Sequence, residues 1–194
     1  MSMLKIIISS TRPGSSGPAI AKWVADNAGR AGTFDQVAIL DLAQIDLPFL
    51  DEPEHPKLGR YTKPHTLAWS QDIDSADVLV MVTPEYNAGF PAPLKNALDF
   101  LHAEWQNKAL GMVTYSGAPS GGVRAARMLE PVTRTLGMVT AANAVAIGGA
   151  ATQVVDGEFV PTGTDDAAVT AMLGDLAELE AGLAPRRAEL AMAG

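Results

Sequence analysis

The 194 residues are enough for one domain with a sizeable core, and a hydrophobic content of 47% marks a folded protein rather than a disordered one. A net charge of -8 speaks against nucleic-acid binding, which needs a basic face, but leaves room for a phosphate-bearing cofactor held by one local loop. The absence of cysteine excludes disulfides, thiolate metal sites and cysteine nucleophiles and suits a reducing, cytoplasmic compartment; no apolar run approaches the roughly 18 residues of a membrane span.

The chain begins Met1-Ser2-Met3-Leu4-Lys5-Ile6-Ile7-Ile8, with one early Lys and a direct passage into a Gly/Ser/Pro turn. That pattern reads as a first strand and not as a signal peptide. The strand is expected over Lys5 to Ser9, buried and rich in Ile. The loop Ser10-Thr11-Arg12-Pro13-Gly14-Ser15-Ser16-Gly17-Pro18 follows, dense in hydroxyls, glycines and prolines. A helix is predicted over Ala19 to Ala31, with Ile20, Trp23, Val24 and Ala28 inward and Pro18 suited to its first turn.

A second strand is predicted over Phe34 to Leu42. Residues 43 to 65 form a long excursion with four prolines, and Leu47, Phe49 and Leu50 give it something to bury. A short helix over Thr66 to Ser75 precedes a third strand over Asp77 to Val82, continuous and apolar in its Val78-Leu79-Val80-Met81-Val82 run. The next helix spans Pro91 to His102. Its stripe of Leu94, Ala97, Leu98 and Leu101 is most simply core, and with Phe90, Phe100 and Trp105 it is also a candidate subunit interface.

The fourth strand, Ala109 to Tyr115, ends in Ser116-Gly117-Ala118-Pro119-Ser120-Gly121-Gly122. A helix over Val123 to Leu136 is expected to bend or break at Pro131. The fifth strand covers Met138 to Ile147, and a small hairpin is placed around Asp156-Gly157. A final amphipathic helix runs from Asp165 to about Leu190, with Pro185 as a possible early stop. Five strands alternating with helices predict an α/β fold: a doubly wound parallel sheet with helices on both faces, in a single domain over 1–194.

In such a sheet, loops after the first, third and fourth strands share one edge, where a single ligand touches all three. The first is a candidate phosphate cradle. Ser10, Thr11, Ser15 and Ser16 offer hydroxyls, Gly14 and Gly17 let backbone N–H groups turn toward an anion, the next helix adds its N-terminal dipole, and Arg12 adds a full charge. It is neither a Walker loop nor Gly-x-Gly-x-x-Gly. The second is Thr83-Pro84-Glu85-Tyr86-Asn87, where Tyr86 suits a ring face or edge and Glu85 and Asn87 suit ring heteroatoms and hydroxyls. The third holds Ser116, Gly117, Gly121 and Gly122, whose backbone can approach a ligand closely. Each loop by itself also reads as an ordinary turn; convergence carries the argument. Arg124 and Arg127 read as an exposed face or as contacts for an anionic cosubstrate. His55, His65 and His102 lack metal-ligand spacing, and no Gly-x-Ser-x-Gly elbow is present, so no metal site and no serine nucleophile are expected.

These stretches resemble the NADPH-dependent FMN reductases, a flavodoxin-like family that includes quinone, azo-dye and chromate reductases. The resemblance rests on Ser10-Thr11-Arg12-Pro13-Gly14-Ser15, on Thr83 to Asn87 with Pro91, on Leu94-Lys95-Asn96-Ala97, and on Ser116 with Gly121-Gly122-Val123-Arg124. It implies non-covalent FMN, with Ser10, Arg12, Ser15, Ser16 and Gly17 around the phosphate. Pro84, Glu85, Tyr86 and Asn87 would line the ring and ribityl chain, and Ser116, Gly117 and the later glycines would close the other side. It further implies NADPH or NADH as cosubstrate, hydride transfer to the flavin and on to a small-molecule acceptor, no catalytic general base, and a homodimer or homotetramer pairing near residues 91 to 103. Ser9 stands where the family usually has Gly, and Ser15 or Ser16 where many relatives have Arg or Lys. A flavodoxin-type electron carrier and a non-enzymatic flavin-binding protein are the alternative readings.

Overall fold

The computed structural model describes residues 2–193, less the side chains at 190, 191 and 193; Met1 and Gly194, the ends of the expected domain, lie outside the described residues. Its sheet is built from β1 (Met3–Ile8), β2 (Gln36–Asp41), β3 (Val78–Pro84), β4 (Ala109–Ser116) and β5 (Val139–Thr140), in the order β2-β1-β3-β4-β5 and parallel throughout. A further strand, β6 (Val145–Gly148), continues the fifth position along β4. This is the flavodoxin-like arrangement expected from the alternation of strands and helices.

Side chains of the central strands alternate between two cores. Leu4, Ile6, Ile8, Val78, Val80 and Val82 face one cluster, with α1 (Gly17–Ala31) and α6 (Gly163–Ala193). Ile7, Leu79 and Met81 face the other, with α3 (Pro64–Asp74), α4 (Ala92–Asp99) and α5 (Val123–Thr135), while the short α2 (Leu42–Ile45) adds Leu42. Helices on both faces explain why these strands are continuously apolar.

Several expectations change. The fifth strand is interrupted over residues 141–144, because Asp175 of α6 accepts from the Asn143 N–H at 2.8 Å and from its amide at 2.9 Å, drawing that backbone out of the ladder. Pro131 lies inside α5 and Pro185 inside α6 without ending either helix. The stripe Leu94, Ala97, Leu98 and Leu101, with Phe100 and Trp105, is at most 1% exposed, so it is core and unavailable as an interface. Segment 43–65 is fixed by Asn96, whose amide donates to the Pro48 carbonyl at 2.7 Å and accepts from Leu50 N–H at 3.0 Å. The hairpin at Asp156-Gly157 forms, joining β7 (Val154–Val155) and β8 (Glu158–Phe159) through two residues of positive φ.

Candidate active site

The carboxyl ends of β1, β3 and β4 are neighbours, and the three loops that leave them meet. Ser9 fixes the start of the first loop: its N–H and hydroxyl both donate to the Val82 carbonyl of β3, at 3.1 and 2.9 Å. Ser10 is 3% exposed and shares a 2.7 Å hydrogen bond with Tyr86 Oη. Arg12 Nε donates to the same phenol oxygen at 3.3 Å, and Arg12 N–H donates to Ser10 Oγ at 3.3 Å. The phenol of the second loop thus bridges two residues of the first.

Ser16, the N-cap of α1 (Gly17–Ala31), lines the same cleft as Arg12 and Tyr86. No side chain caps the helix, its first turn holds no acidic residue, and Pro18 takes an early position where its missing N–H costs nothing. Gly17 is buried, and a Cβ there would lie 2.9 Å from Ile8 Cγ2 and 3.0 Å from Tyr115 Oη. Glycine at 17 is therefore dictated by close packing against the ends of β1 and β4.

Tyr115 was missed in the sequence. It is 5% exposed, and its Oη is buried without a hydrogen-bond partner. Burial pushes the phenol up to about 12, against the pull of the nearby Ser15 and Ser10 hydroxyls, so it stays protonated and able to donate. The available signal was a hydroxyl-bearing aromatic as the penultimate residue of a strand that is apolar from Ala109 to Val113.

The second loop is a tight turn. Tyr86 N–H donates to Gly89 O at 2.8 Å, Gly89 N–H donates to Tyr86 O at 3.0 Å, and Asn87 and Ala88 between them have φ of 50° and 68°. Glu85 behaves differently from expectation. Its side chain is 5% exposed and accepts from Arg124 Nε at 2.7 Å and from Arg124 N–H at 3.1 Å. The guanidinium beside it, then the backbone N–H groups at the start of α5, hold its carboxyl below the ordinary range against burial. Arg124 is therefore paired and not merely solvated, and the Glu85 carboxylate is occupied by protein.

In the third loop, Ser116 donates to Ala118 O at 2.9 Å, and Gly117 is exposed. Gly121 is explained by packing: at φ 63° its Cβ would lie 2.6 Å from the Ala146 carbonyl carbon of β6. It gives the loop its shape.

Arg12, Ser16, Pro84, Glu85, Tyr86, Tyr115, Ser116 and Gly117, with Ala150 and Ala151, line one open cleft of about 110 Å³. Thr11 instead borders a larger cavity of about 450 Å³ beyond the first loop, between Leu42, Leu47, Phe49 and the start of α4. An uncapped helix start, an unpaired buried phenol, a cation and several hydroxyls are all donors. The set fits a ligand that brings an anionic group and further acceptors, as FMN does.

The NADPH-dependent FMN reductase family model matches residues 3–152. An NAD(P)H-dependent FMN reductase of Schizosaccharomyces pombe is 40% identical over 158 residues, covering 80% of this chain and 78% of that protein. One of Saccharomyces cerevisiae is 33% identical over 159 residues, covering 77% and 79%. Among solved structures, the flavoenzyme NAD(P)H:(acceptor) oxidoreductase FerB of Paracoccus denitrificans superposes with a TM-score of 0.75 at 19% identity, covering 94% of this chain and 99% of that one, a likeness of fold. The chain belongs to the NADPH-dependent FMN reductase family.

Proposed function

We propose that FMN lies across the three loops, only part of it within the cleft, with its phosphate at the N-terminus of α1, among Ser10, Arg12, Ser15, Ser16 and Gly17, and its ring between the Pro84–Asn87 turn and Ser116-Gly117. The protein is an FMN-dependent NAD(P)H oxidoreductase. The observation that carries the placement is the junction of Ser10, Arg12 and Tyr86 beside the partnerless Tyr115 Oη. When bound, FMN would supply the hydride chemistry that links NAD(P)H to a flat small-molecule acceptor such as a quinone, free flavin or azo compound.

The protein's own contribution is binding and orientation. Arg12 neutralises phosphate charge, and the N–H groups of α1 donate to it. Tyr86 orders both loops, Pro84 removes conformational freedom at the strand end, and Tyr115 offers a proton-bearing oxygen in a dry setting. No side chain is assigned as general base.

A homodimer or homotetramer is supported by apolar groups left outward on the 43–65 segment beside α4: Phe49 is 85% exposed and Leu58 55%. One domain over 1–194 and a cytoplasmic setting complete the proposal. No helix among the described residues is long and apolar enough to cross a membrane.

Purified protein is expected to be yellow, or to become so with added FMN, and to bleach under excess NADPH without air. A protein that neither binds FMN nor consumes NAD(P)H overturns the assignment. One that holds FMN but stays oxidised with both nucleotides is an electron carrier instead.

A further inference from the structure

The chain has eight methionines. Among the described residues, Met81, Met112, Met138 and Met172 are at most 5% exposed, and only Met128 and Met192 are more than half exposed, at 54% and 82%. Met192 lies in the last turn of α6. Met128 lies on α5, one helical turn after Arg124, where both residues bear on the loop after β3.

Arg124 grips that loop through Glu85, and Met128 covers its far end. Gly89 is buried, and a Cβ built there would stand 3.2 Å from Met128 Sδ and 3.5 Å from its Cε. The thioether thus lies over the open side of Gly89, in the space a Cβ would take. The turn itself is strained: Ala88 holds a φ of 68°, a left-handed conformation that costs a residue with a Cβ of order 1 kcal/mol. Such a turn persists only while its surroundings hold it. Its other end is Tyr86, whose phenol oxygen joins Ser10 and Arg12 of the first loop.

We propose that Met128 is an oxidation site, and that its conversion to the sulfoxide by hydrogen peroxide loosens the Tyr86–Gly89 turn and weakens flavin binding. In the reaction the thioether sulfur loses two electrons, a sulfur–oxygen bond forms, the peroxide O–O bond breaks, and the second oxygen leaves as water. The new oxygen is polar and sits on the atom that lies over Gly89. Either it enters the turn contact and crowds Gly89, or the sulfur swings into solvent and uncovers it; both release the strained turn. Only the effect on cofactor binding rests on the FMN assignment.

The test exposes flavin-free protein to limiting hydrogen peroxide and maps sulfoxide by peptide mass spectrometry. Backbone hydrogen exchange over residues 84–91 and FMN affinity by fluorescence quenching are then measured. Met128 should oxidise ahead of the buried methionines, exchange in the turn should quicken, and FMN affinity should fall by roughly threefold to tenfold. Methionine sulfoxide reductases should restore both. Met128→Leu should keep its exchange and affinity through the same treatment, and Met192→Leu should respond like the parent. Met128 staying reduced while Met192 oxidises, unchanged exchange after oxidation, or equal losses in Met128→Leu would overturn the proposal. If the untreated protein binds no FMN, the functional assignment falls, and exchange over 84–91 alone decides the matter.

Discussion

Tyr86 Oη stands 2.7 Å from Ser10 Oγ, so the phenol after the third strand closes a hydrogen bond onto the loop after the first. Two loops remote in sequence become one surface through a single oxygen, and Arg12 donates to that oxygen as well. Tyr86→Phe keeps the ring and removes the bridge, at a cost of about 1 kcal/mol and hence roughly fivefold in FMN affinity. Arg12→Ala removes charge as well as the contact, and the loss should reach roughly tenfold or more. Titration with FMN at fixed ionic strength checks both; equal affinity in Arg12→Ala would remove Arg12 from the phosphate site.

The Glu85 carboxyl is held below its ordinary value, so the stabilisation from its pairing with Arg124 is fully present above the unfolded-state value near 4.5. It is lost as pH falls through the lower folded value. The β3–α4 loop should therefore loosen in acid, and FMN should dissociate more readily below pH about 4.5. Glu85→Gln should show the weaker binding at neutral pH and little further change on acidification. Flavin release followed by fluorescence across pH 3 to 7, in parent and variant, tests the sign.

Gly121→Ala places a Cβ 2.6 Å from the Ala146 backbone while forcing alanine to a φ of 63°. Backbone cannot yield as a flexible side chain does, so a loss of about 2–4 kcal/mol is expected. At roughly 2–4 °C per kcal/mol for a chain of this size, the melting temperature should drop by about 5 °C or more. A melt indistinguishable from the parent would mean that β6 yields where it packs on the loop.

Ala88→Gly should act in the opposite direction. The two-residue turn needs positive φ at both centres, and glycine supplies it without a Cβ clash. A gain of up to about 1 kcal/mol, read by chemical denaturation, is the expected outcome. Destabilisation would show that Ala88 makes a contact worth more than its strain.

The fold was legible because both faces of the sheet are covered. Runs such as Val78 to Val82 are continuously apolar, and Gly, Ser and Pro clusters separate them from the helices. The convergence of three loops followed from topology alone. Pairwise commitments were harder to read. Nothing in the sequence says that Glu85 will be taken by Arg124, 39 residues away, and not by a ligand. Nor does local composition reveal that Asp175 opens the fifth strand at Asn143. Prolines misled for a related reason. At 131 the buried Leu129 and Thr133 hold the helix by packing, and past 185 Arg187 ties it down through Asn107 O, Asp77 and Glu180, and each outweighs one lost backbone hydrogen bond. Tyr115 was hidden because a tyrosine in a strand reads as core until its oxygen is found without a partner.

The pairing of Glu85 with Arg124 also shapes how ligands arrive. It cancels a negative charge beside the cleft, leaving Arg12 and the α1 terminus to set the local sign on a chain whose net charge is -8. An anionic ligand is then repelled at long range and attracted on contact. Screening reaches only about 8 Å at physiological ionic strength, so salt weakens the distant repulsion more than the short hydrogen bonds. Moderate salt should therefore hasten the encounter with a phosphate-bearing ligand, whereas a protein with a basic binding face is slowed by it.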